Sequence, residues 1–260
     1  MGLGLSLGLK LGGFSGGGAA PFDPLSTTPK LWLDASNTAT ISDSGTLTWA
    51  DKSGNSYNAT QATAGFKPVS GTRTINSLNV LDFDGVDDHL LLPSGLYGIT
   101  NGPNTLMVVC ALDNTSTQQR ILWGATATAG EIRYGLDVYS GGLQLLRANN
   151  STLSNYAEKS GIGTSTDARL LTMFRNGTDI EVFHNGGVPA TASTGINGTL
   201  TWLGIGSGGP TIAVPFNGVI AEILLWDRVL TDTEAENIGA YLKDKWNLLG
   251  FSSGFSGGFS

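Results

Sequence analysis

Short hydrophobic segments alternate with polar turns along most of the chain, and this pattern predicts β-strands. One pair of segments, 169–175 and 180–184, flanks Asn176-Gly177, a dipeptide that favours a tight hairpin turn. Further strands are predicted at 31–33, 80–83, 105–112, 119–123, 142–146, 200–205 and 219–226. Strands at short intervals, separated by turns rich in Gly and Asn, predict an all-β fold in which two antiparallel sheets form a sandwich.

The hydrophobic period becomes helical near the C-terminus. Thr231 and Glu234 have the spacing of a capping box, which marks the start of a helix. Ile238, Leu242 and Trp246 follow at i, i+4 and i+8 and form one apolar stripe. We therefore expect one C-terminal amphipathic helix that packs on the outside of the sheets.

The two ends differ from the globular region, which we assign to residues 30–249. Residues 1–29 form an arm and linker, and residues 250–260 form a tail with repeated Gly-Phe-Ser. Because a lone extended segment is not stable in water, we expect both ends to contact a partner. The predicted contact residues are Leu3, Leu5, Leu7, Leu9, Leu11, Phe14, Phe251, Phe255 and Phe259. Disorder is the alternative for the arm, and low-complexity disorder is the alternative for the tail.

Four segments, taken together, resemble the laminin G-like family of concanavalin A-like jelly rolls. They are 31–36 (LWLDAS), 49–55 (WADKSGN), 83–88 (FDGVDD) and the strand–helix unit at 216–248. The resemblance implies a two-sheet jelly roll over residues 30–249. It implies no single activity, because members occur in adhesion proteins, in accessory modules of polysaccharide-degrading enzymes and in bacteriophage virion proteins.

Composition excludes several classes of partner. The net charge is −7 and there is no basic run, so we expect no nucleic-acid partner, since nucleic-acid binding needs a cationic surface. The longest apolar runs are far shorter than the ~18 residues of a membrane span, and we expect no membrane partner. With a single cysteine, Cys110, an intrachain disulfide is impossible.

Paired carboxylates, the usual machinery of glycan hydrolysis, are not visible in the sequence. The related glucanases carry two Glu that flank an Asp on one strand, where alternation places them in one cleft. No Glu-x-Asp-x-x-Glu occurs here, and His89 and His184 lie far apart in the sequence without a nearby Ser nucleophile motif. We therefore predict a chain that is not an enzyme, and retain glycan hydrolysis as the weakest alternative.

Three carboxylates, Asp84, Asp87 and Asp88, surround Gly85 in one turn. Clustered oxygen ligands suit Ca²⁺, which is the one cofactor that the sequence suggests. The alternative is a glycine turn in which the Asp side chains accept hydrogen bonds from backbone N–H groups.

Aromatic residues near turns are candidates for carbohydrate binding, since a sugar packs on an exposed flat ring beside polar groups. The candidates are Trp49, Tyr57, Tyr97, Trp123 and Trp202. The alternative for each is a place in the core, where most Trp residues of a sandwich lie.

The arm and the tail decide between the functional hypotheses. Terminal arms suit an assembly component, because such segments add strands to neighbouring subunits. We predict a non-enzymatic bacteriophage virion protein, on the capsid surface as a decoration protein or head fibre, or else in the tail. Its partners would be other virion proteins or sister subunits, in an oligomer or larger assembly, with a host-surface glycan as a further partner. The alternative is a carbohydrate-binding module of a secreted or cell-surface protein.

Overall fold

The computed structural model describes residues 22–114, 117–125, 133–140, 144–148, 157–160, 166–193, 199–207, 214–252 and 254–255. The strands are β1 Leu31–Asp34, β2 Ile41–Asp43, β3 Leu47–Trp49, β4 Ala59–Gln61, β5 Val69–Ile75, β6 Leu78–Asp84, β7 Leu90–Leu91, β8 Asn104–Leu112, β9 Gln119–Ala125, β10 Arg133–Ser140, β11 Gln144–Ala148, β12 Ala157–Lys159, β13 Arg169–Asn176, β14 Asp179–His184, β15 Ala190–Ser193, β16 Trp202–Ile205 and β17 Asn217–Trp226. The α-helix α1 is Asp232–Trp246, and short 3₁₀ helices are Pro24–Thr27, Thr38–Thr40, Ala64–Phe66 and Ser94–Asn101.

These strands form two antiparallel sheets. The first sheet has the order β15-β14-β13-β8-β17-β6-β5. β1 pairs with β17 on the same side as β6, so one edge of β17 is shared by two strands. The second sheet has the order β12-β11-β10-β9-β16-β7-β4-β3-β2. The predicted all-β sandwich with a C-terminal helix is confirmed.

Both faces of the central strands of the first sheet are buried, which explains why these strands are continuously hydrophobic. All residues of β8 are buried, and in β17 all except Asn217 are. Leu106, Val108 and Cys110 point toward the second sheet, whereas Met107 and Val109 point outward to a second hydrophobic layer. A strand with two covered faces needs apolar residues at every position.

Helix α1 covers that outer face. Its buried residues Ala235, Ile238, Leu242 and Trp246 belong to the same layer as Met107. The predicted capping box is present at its start, where the Thr231 N–H donates to Glu234 Oε2 at 3.0 Å and the Glu234 N–H donates to Thr231 Oγ1 at 3.3 Å.

A buried carboxylate fixes the helix to the first sheet. Glu222 Oε1 accepts hydrogen bonds from Trp32 Nε1 at 2.7 Å and from the Tyr241 hydroxyl at 3.0 Å. Glu222 Oε2 accepts from Lys245 Nζ and Trp246 Nε1, both at 2.7 Å. Burial raises the pKa of Glu222, although the charge of Lys245 opposes the shift. A fully buried charge is tolerated because four donors surround it.

The same lysine extends this network to β1. Lys245 Nζ donates to Asp34 Oδ1 at 2.7 Å, and Lys52 Nζ donates to Asp34 Oδ2 at 2.7 Å. Burial by itself would raise the pKa of Asp34. The charge of Lys245 and these hydrogen bonds outweigh that effect, and the pKa of Asp34 is lowered. The network therefore joins β1, β17, α1 and the loop after β3.

The tail packs on its own chain where the structure describes it. Phe255 is buried, and its ring centroid lies 5.3 Å from that of Phe183 and 5.8 Å from that of Phe174. Phe251 lies 6.5 Å from Phe255, and both rings approach Gly239 on α1. We correct the expectation that these two rings contact a partner, because the outer face of the first sheet offers them an apolar surface.

The other predicted partner-binding residues lie outside the described residues. They are Leu3, Leu5, Leu7, Leu9, Leu11, Phe14 and Phe259. Within the described part of the chain, no helix has the length and apolar character that a membrane crossing requires.

Candidate functional site

The second sheet has an outer face that points away from the sandwich interior. Its inward residues, such as Leu47, Leu90, Leu122 and Leu203, belong to the core between the sheets. Because side chains alternate along a strand, the residues next to them lie on the opposite face. The register of neighbouring strands shows which of these outward residues are adjacent.

One outward residue from each of seven neighbouring strands falls in a single line across this face. We call this line the outer row, and it consists of Ser42, Thr48, Thr60, Leu91, Gly204, Trp123 and Gly135. Seven strands at about 4.8 Å spacing give a row about 29 Å long.

The two ends of the outer row differ in exposure and chemistry. Ser42 is exposed, Thr48 and Thr60 are half-buried, and Leu91 is 40% exposed. This end therefore offers hydroxyl groups beside an apolar side chain. At the other end, Trp123 is only 3% exposed. The row thus runs from an open hydroxyl-bearing end to a closed aromatic end.

A second tryptophan forms the wall of the closed end. Trp202 is 7% exposed, and its indole occupies the space above Gly204. A Cβ atom at position 204 would lie 2.5 Å from Cζ2 of Trp202, so this strand position needs glycine. The Trp202 Nε1–H group is buried and has no acceptor among the described residues.

Charged groups lie beside the closed end. The Arg120 guanidinium carbon lies 4.4 Å from the centroid of the Trp123 ring, a cation–π geometry. Asp137 faces Arg120 across β9 and β10, and Gln118 Nε2 donates to Asp137 Oδ2 at 2.5 Å. Aromatic rings, hydroxyls and a few fixed charges are the groups from which small-molecule sites are built.

Three of the five predicted aromatic platforms are corrected by these positions. Trp49 is buried in the core between the sheets, and Trp123 and Trp202 are buried against their neighbours. A position near a turn in the sequence does not distinguish inward from outward side chains. Tyr57 and Tyr97 are half-buried and pack on that core, and sugar binding by these two rings stays a prediction.

The three predicted carboxylates do come together. Ligand oxygens of Asp84, Asp87 and Asp88 all lie within 4.8 Å of one another. Asp84 Oδ1 accepts from the Val86 N–H at 2.8 Å and the Asp87 N–H at 3.2 Å, and Asp88 Oδ2 accepts from the Asp84 N–H at 2.9 Å. These bonds are those of the alternative, an Asp-capped glycine turn. Calcium binding by the remaining oxygens stays a prediction.

The surroundings of this turn disfavour the ionised form of Asp88. Burial, together with the negative charges of Asp84 and Asp87, raises the pKa of Asp88 to about 6, against the hydrogen bond from the Asp84 N–H. At neutral pH the turn therefore holds carboxylates that a proton or a cation would stabilise.

A chain of hydrogen bonds through Gln61 and His89 fixes the C-terminal end of this turn. The Thr63 N–H donates to Gln61 Oε1 at 2.9 Å, which fixes the orientation of the Gln61 amide. Gln61 Nε2 then donates to His89 Nε2 at 3.0 Å, so the ring proton lies on Nδ1 and is donated to the Asp87 carbonyl at 2.8 Å. The turn is thereby tied to β4 in the second sheet.

Comparisons with known proteins identify the fold and no sequence family. No family model matches the chain, and no curated protein matches its sequence. The resemblance to the laminin G-like family therefore stays a prediction.

The solved structures of similar fold include two carbohydrate-active proteins. A sialidase from Trypanosoma rangeli in complex with sialic acid is 16% identical, with a TM-score of 0.62 over 88% of this chain and 34% of the sialidase. Domain 4 of AbnA, a GH43 extracellular arabinanase from Geobacillus stearothermophilus, in complex with arabinotriose, is 14% identical. Its TM-score is 0.58, over 84% of this chain and 98% of that domain. The chain spans about a third of the sialidase chains that it matches. At these identities the likeness shows the fold.

The prediction that the chain is not an enzyme is contradicted by this comparison. Several of the similar structures are of an enzyme, the sialidase, over more than four fifths of the present chain. The prediction relied on the missing Glu-x-Asp-x-x-Glu pattern, which belongs to the glucanases and says nothing about other glycan hydrolases. We withdraw it.

The sequence did not reveal Thr48, Thr60, Leu91 or Arg120 as site residues. Their positions on one face depend on the pairing of strands from distant parts of the chain. The available signal was the period-two alternation Leu47-Thr48-Trp49 and Ala59-Thr60-Gln61, which places each Thr opposite two inward residues.

Proposed function

We propose that this chain is a carbohydrate-binding β-sandwich domain that binds an extended glycan along the outer row. The supporting observation is the open end of the row, where hydroxyl groups and an exposed leucine lie side by side on four neighbouring strands. The open part of the row, from Ser42 to Leu91, crosses four strands and is about 14 Å long at about 4.8 Å spacing, which suits a short stretch of a linear polymer. Hydroxyls of Ser42, Thr48 and Thr60 provide hydrogen bonds, and Leu91 provides an apolar contact for the C–H face of a sugar ring.

The solved structures of similar fold support this proposal over a role in a virion. The sialidase is in complex with sialic acid, and the domain in complex with arabinotriose belongs to an extracellular arabinanase. An extracellular or cell-surface location follows from the same proposal. The virion hypothesis depended on terminal segments that engage a partner, and Phe251 and Phe255 instead pack on their own domain.

Glycan binding by the outer row is tested with the double variant Thr48→Val/Thr60→Val. Valine has nearly the shape of threonine and removes only the hydroxyl. The purified full chain is titrated with arabinan oligosaccharides and with sialylated oligosaccharides, and binding is measured by calorimetry. Two lost hydrogen bonds of about 1 kcal/mol each predict a loss of affinity of about thirtyfold.

The matched control is Thr191→Val, an exposed threonine on β15 of the first sheet. This variant is expected to bind as the unmodified chain does. Equal affinity of the double variant and the control would show that the glycan does not lie on the outer row. No binding of any oligosaccharide by the unmodified chain would reject the proposed function as a whole.

A further inference from the structure

The open side of the sandwich carries a pocket that is separate from the outer row. β2 is the last strand of the second sheet and β5 is the last strand of the first. Between these edges and the turn at Ala64–Phe66 lies a cavity of ≈ 580 Å³. Ligand sites commonly measure about 300–1,000 Å³. The cavity is lined by Ile41 and Leu47, which face away from Ser42 and Thr48 of the row.

One wall of this pocket is apolar. Ile41, Leu47 and Val69 line it, together with Pro68. Val69 is 50% exposed although it begins a strand and is β-branched. An exposed apolar residue inside a concavity is a surface that a ligand can cover. The wall offers aliphatic contacts, which can cover the C–H groups of one sugar ring.

The opposite wall presents a donor and an acceptor side by side. Lys67 Nζ donates to Asp43 Oδ1 at 2.7 Å and to the Gly45 carbonyl at 3.1 Å. An ammonium group has three N–H donors, so one donor of Lys67 remains. Asp43 Oδ2 accepts no hydrogen bond from the described residues, and its side chain is 47% exposed.

This pair matches a vicinal diol. One hydroxyl accepts from the third N–H of Lys67, and its neighbour donates to Asp43 Oδ2. The opposite charges of the pair offset each other locally, and the chain as a whole carries −7, so an anionic ligand gains nothing here. Hydroxyl groups at the spacing of a vicinal diol and one apolar face are the features of a neutral pyranose ring.

The geometry points to a second ligand site, in which this edge pocket binds one neutral pyranose residue between Val69 and the Lys67–Asp43 pair. The site goes beyond the proposed binding of a polymer along the outer row and does not depend on it. Thr38 also lines the pocket and offers a further hydroxyl.

The test uses the full chain and the methyl pyranosides of glucose, galactose and mannose, added at millimolar concentration. Amide chemical shifts are followed by NMR during the titration. At least one of the three sugars is expected to shift the signals of Asp43, Lys67 and Val69. Asp43→Asn and Lys67→Met are each expected to weaken that binding about tenfold, the effect of one lost charged hydrogen bond.

Val69→Trp fills the pocket and is expected to abolish the shifts. Its control is Val188→Trp, because Val188 is also an exposed valine and does not line the pocket. Thermal unfolding confirms that each variant is folded. Shifts that persist in Val69→Trp, or no shift at these residues with any of the three sugars, would overturn the site. Shifts that persist in Thr48→Val/Thr60→Val would show that the pocket acts independently, whether or not the outer row binds a glycan.

Discussion

Asp88 shows how one residue makes the stability of this domain depend on pH. Its pKa in the folded protein, about 6, lies above the ordinary value of about 3.9. The folded state therefore holds this proton more tightly than the unfolded state does. The resulting stabilisation is complete below about pH 4 and is lost as the pH rises through about 6.

Asp88→Asn is expected to flatten this dependence. The Asn oxygen can still accept the hydrogen bond from the Asp84 N–H, while the charge that is disfavoured at neutral pH is gone. We expect the variant to have an equal or higher Tm than the unmodified chain at pH 7.5, and a smaller change of Tm between pH 4 and 7.5. Circular dichroism melts at several pH values measure this. Asp244→Asn, an exposed position on α1, is the control, and an identical pH profile for all three proteins would contradict the role of Asp88.

At the scale of elements, the Glu222 carboxylate connects helix α1 to the sheet that it covers. Trp32 comes from β1, while Tyr241, Lys245 and Trp246 come from the helix. The helix is thus held by directional hydrogen bonds as well as by its apolar stripe. Such a network is stabilising only while every member is satisfied.

Glu222→Gln breaks the network with little change in volume. The amide NH₂ group would face other donors and leave Lys245 with one carboxylate instead of two. Removal of one partner from a buried ion pair costs about 3–5 kcal/mol. Denaturant unfolding is expected to show a loss of this size, compared with almost none for Glu236→Gln on the exposed side of the helix. A loss below 1 kcal/mol would mean that water replaces the missing charge.

The C-terminal segment, with Phe251 and Phe255, belongs to the hydrophobic layer between helix α1 and the first sheet. Its backbone is tied to the turn after β14, where the Ser252 N–H donates to the Asn185 carbonyl at 2.9 Å and the Gly187 N–H donates to the Gly254 carbonyl at 2.8 Å. Phe255→Ala is expected to destabilise the isolated domain by up to about 3 kcal/mol. This is the low end of the cost for a buried Phe, and we choose it because the end of the chain can detach. Leu249→Ala, an exposed position nearby, should have almost no effect. An unchanged Tm for Phe255→Ala would restore the earlier hypothesis of a tail that binds a partner.

For the whole molecule, the local sequence pattern predicted which helices and strands form better than it predicted which of them lie next to one another. The capped helix, the strands around Asn176-Gly177 and the long strands β8 and β17 follow from period and turn chemistry, and all are present. The short strands β2, β3, β4 and β7 were not predicted, because two or three residues carry too little periodic signal. The sequence could not show that Phe255 meets Phe174 or that Thr48 aligns with Leu91, since both depend on which sheet a strand joins.

Removal of β17 is expected to destroy the fold, although the strand lies near the end of the chain. β17 pairs with β1, β6 and β8. A fragment that ends at residue 207 lacks it and leaves three strands with unpaired edges, which promotes aggregation. Expression of residues 1–207 should give insoluble protein, whereas residues 1–249 should remain soluble with a β-type circular dichroism spectrum. A soluble, β-rich 1–207 fragment would contradict this role of β17.

The late position of β17 also has a consequence for synthesis in the cell. β8 is complete at Leu112, but its partner β17 ends only at Trp226. At about 5–20 residues per second, the ribosome takes on the order of 10 s to make the residues between them. During that delay the nascent chain presents an apolar strand with one edge unpaired, so yield in the cell depends on translation speed and on chaperones that shield this strand.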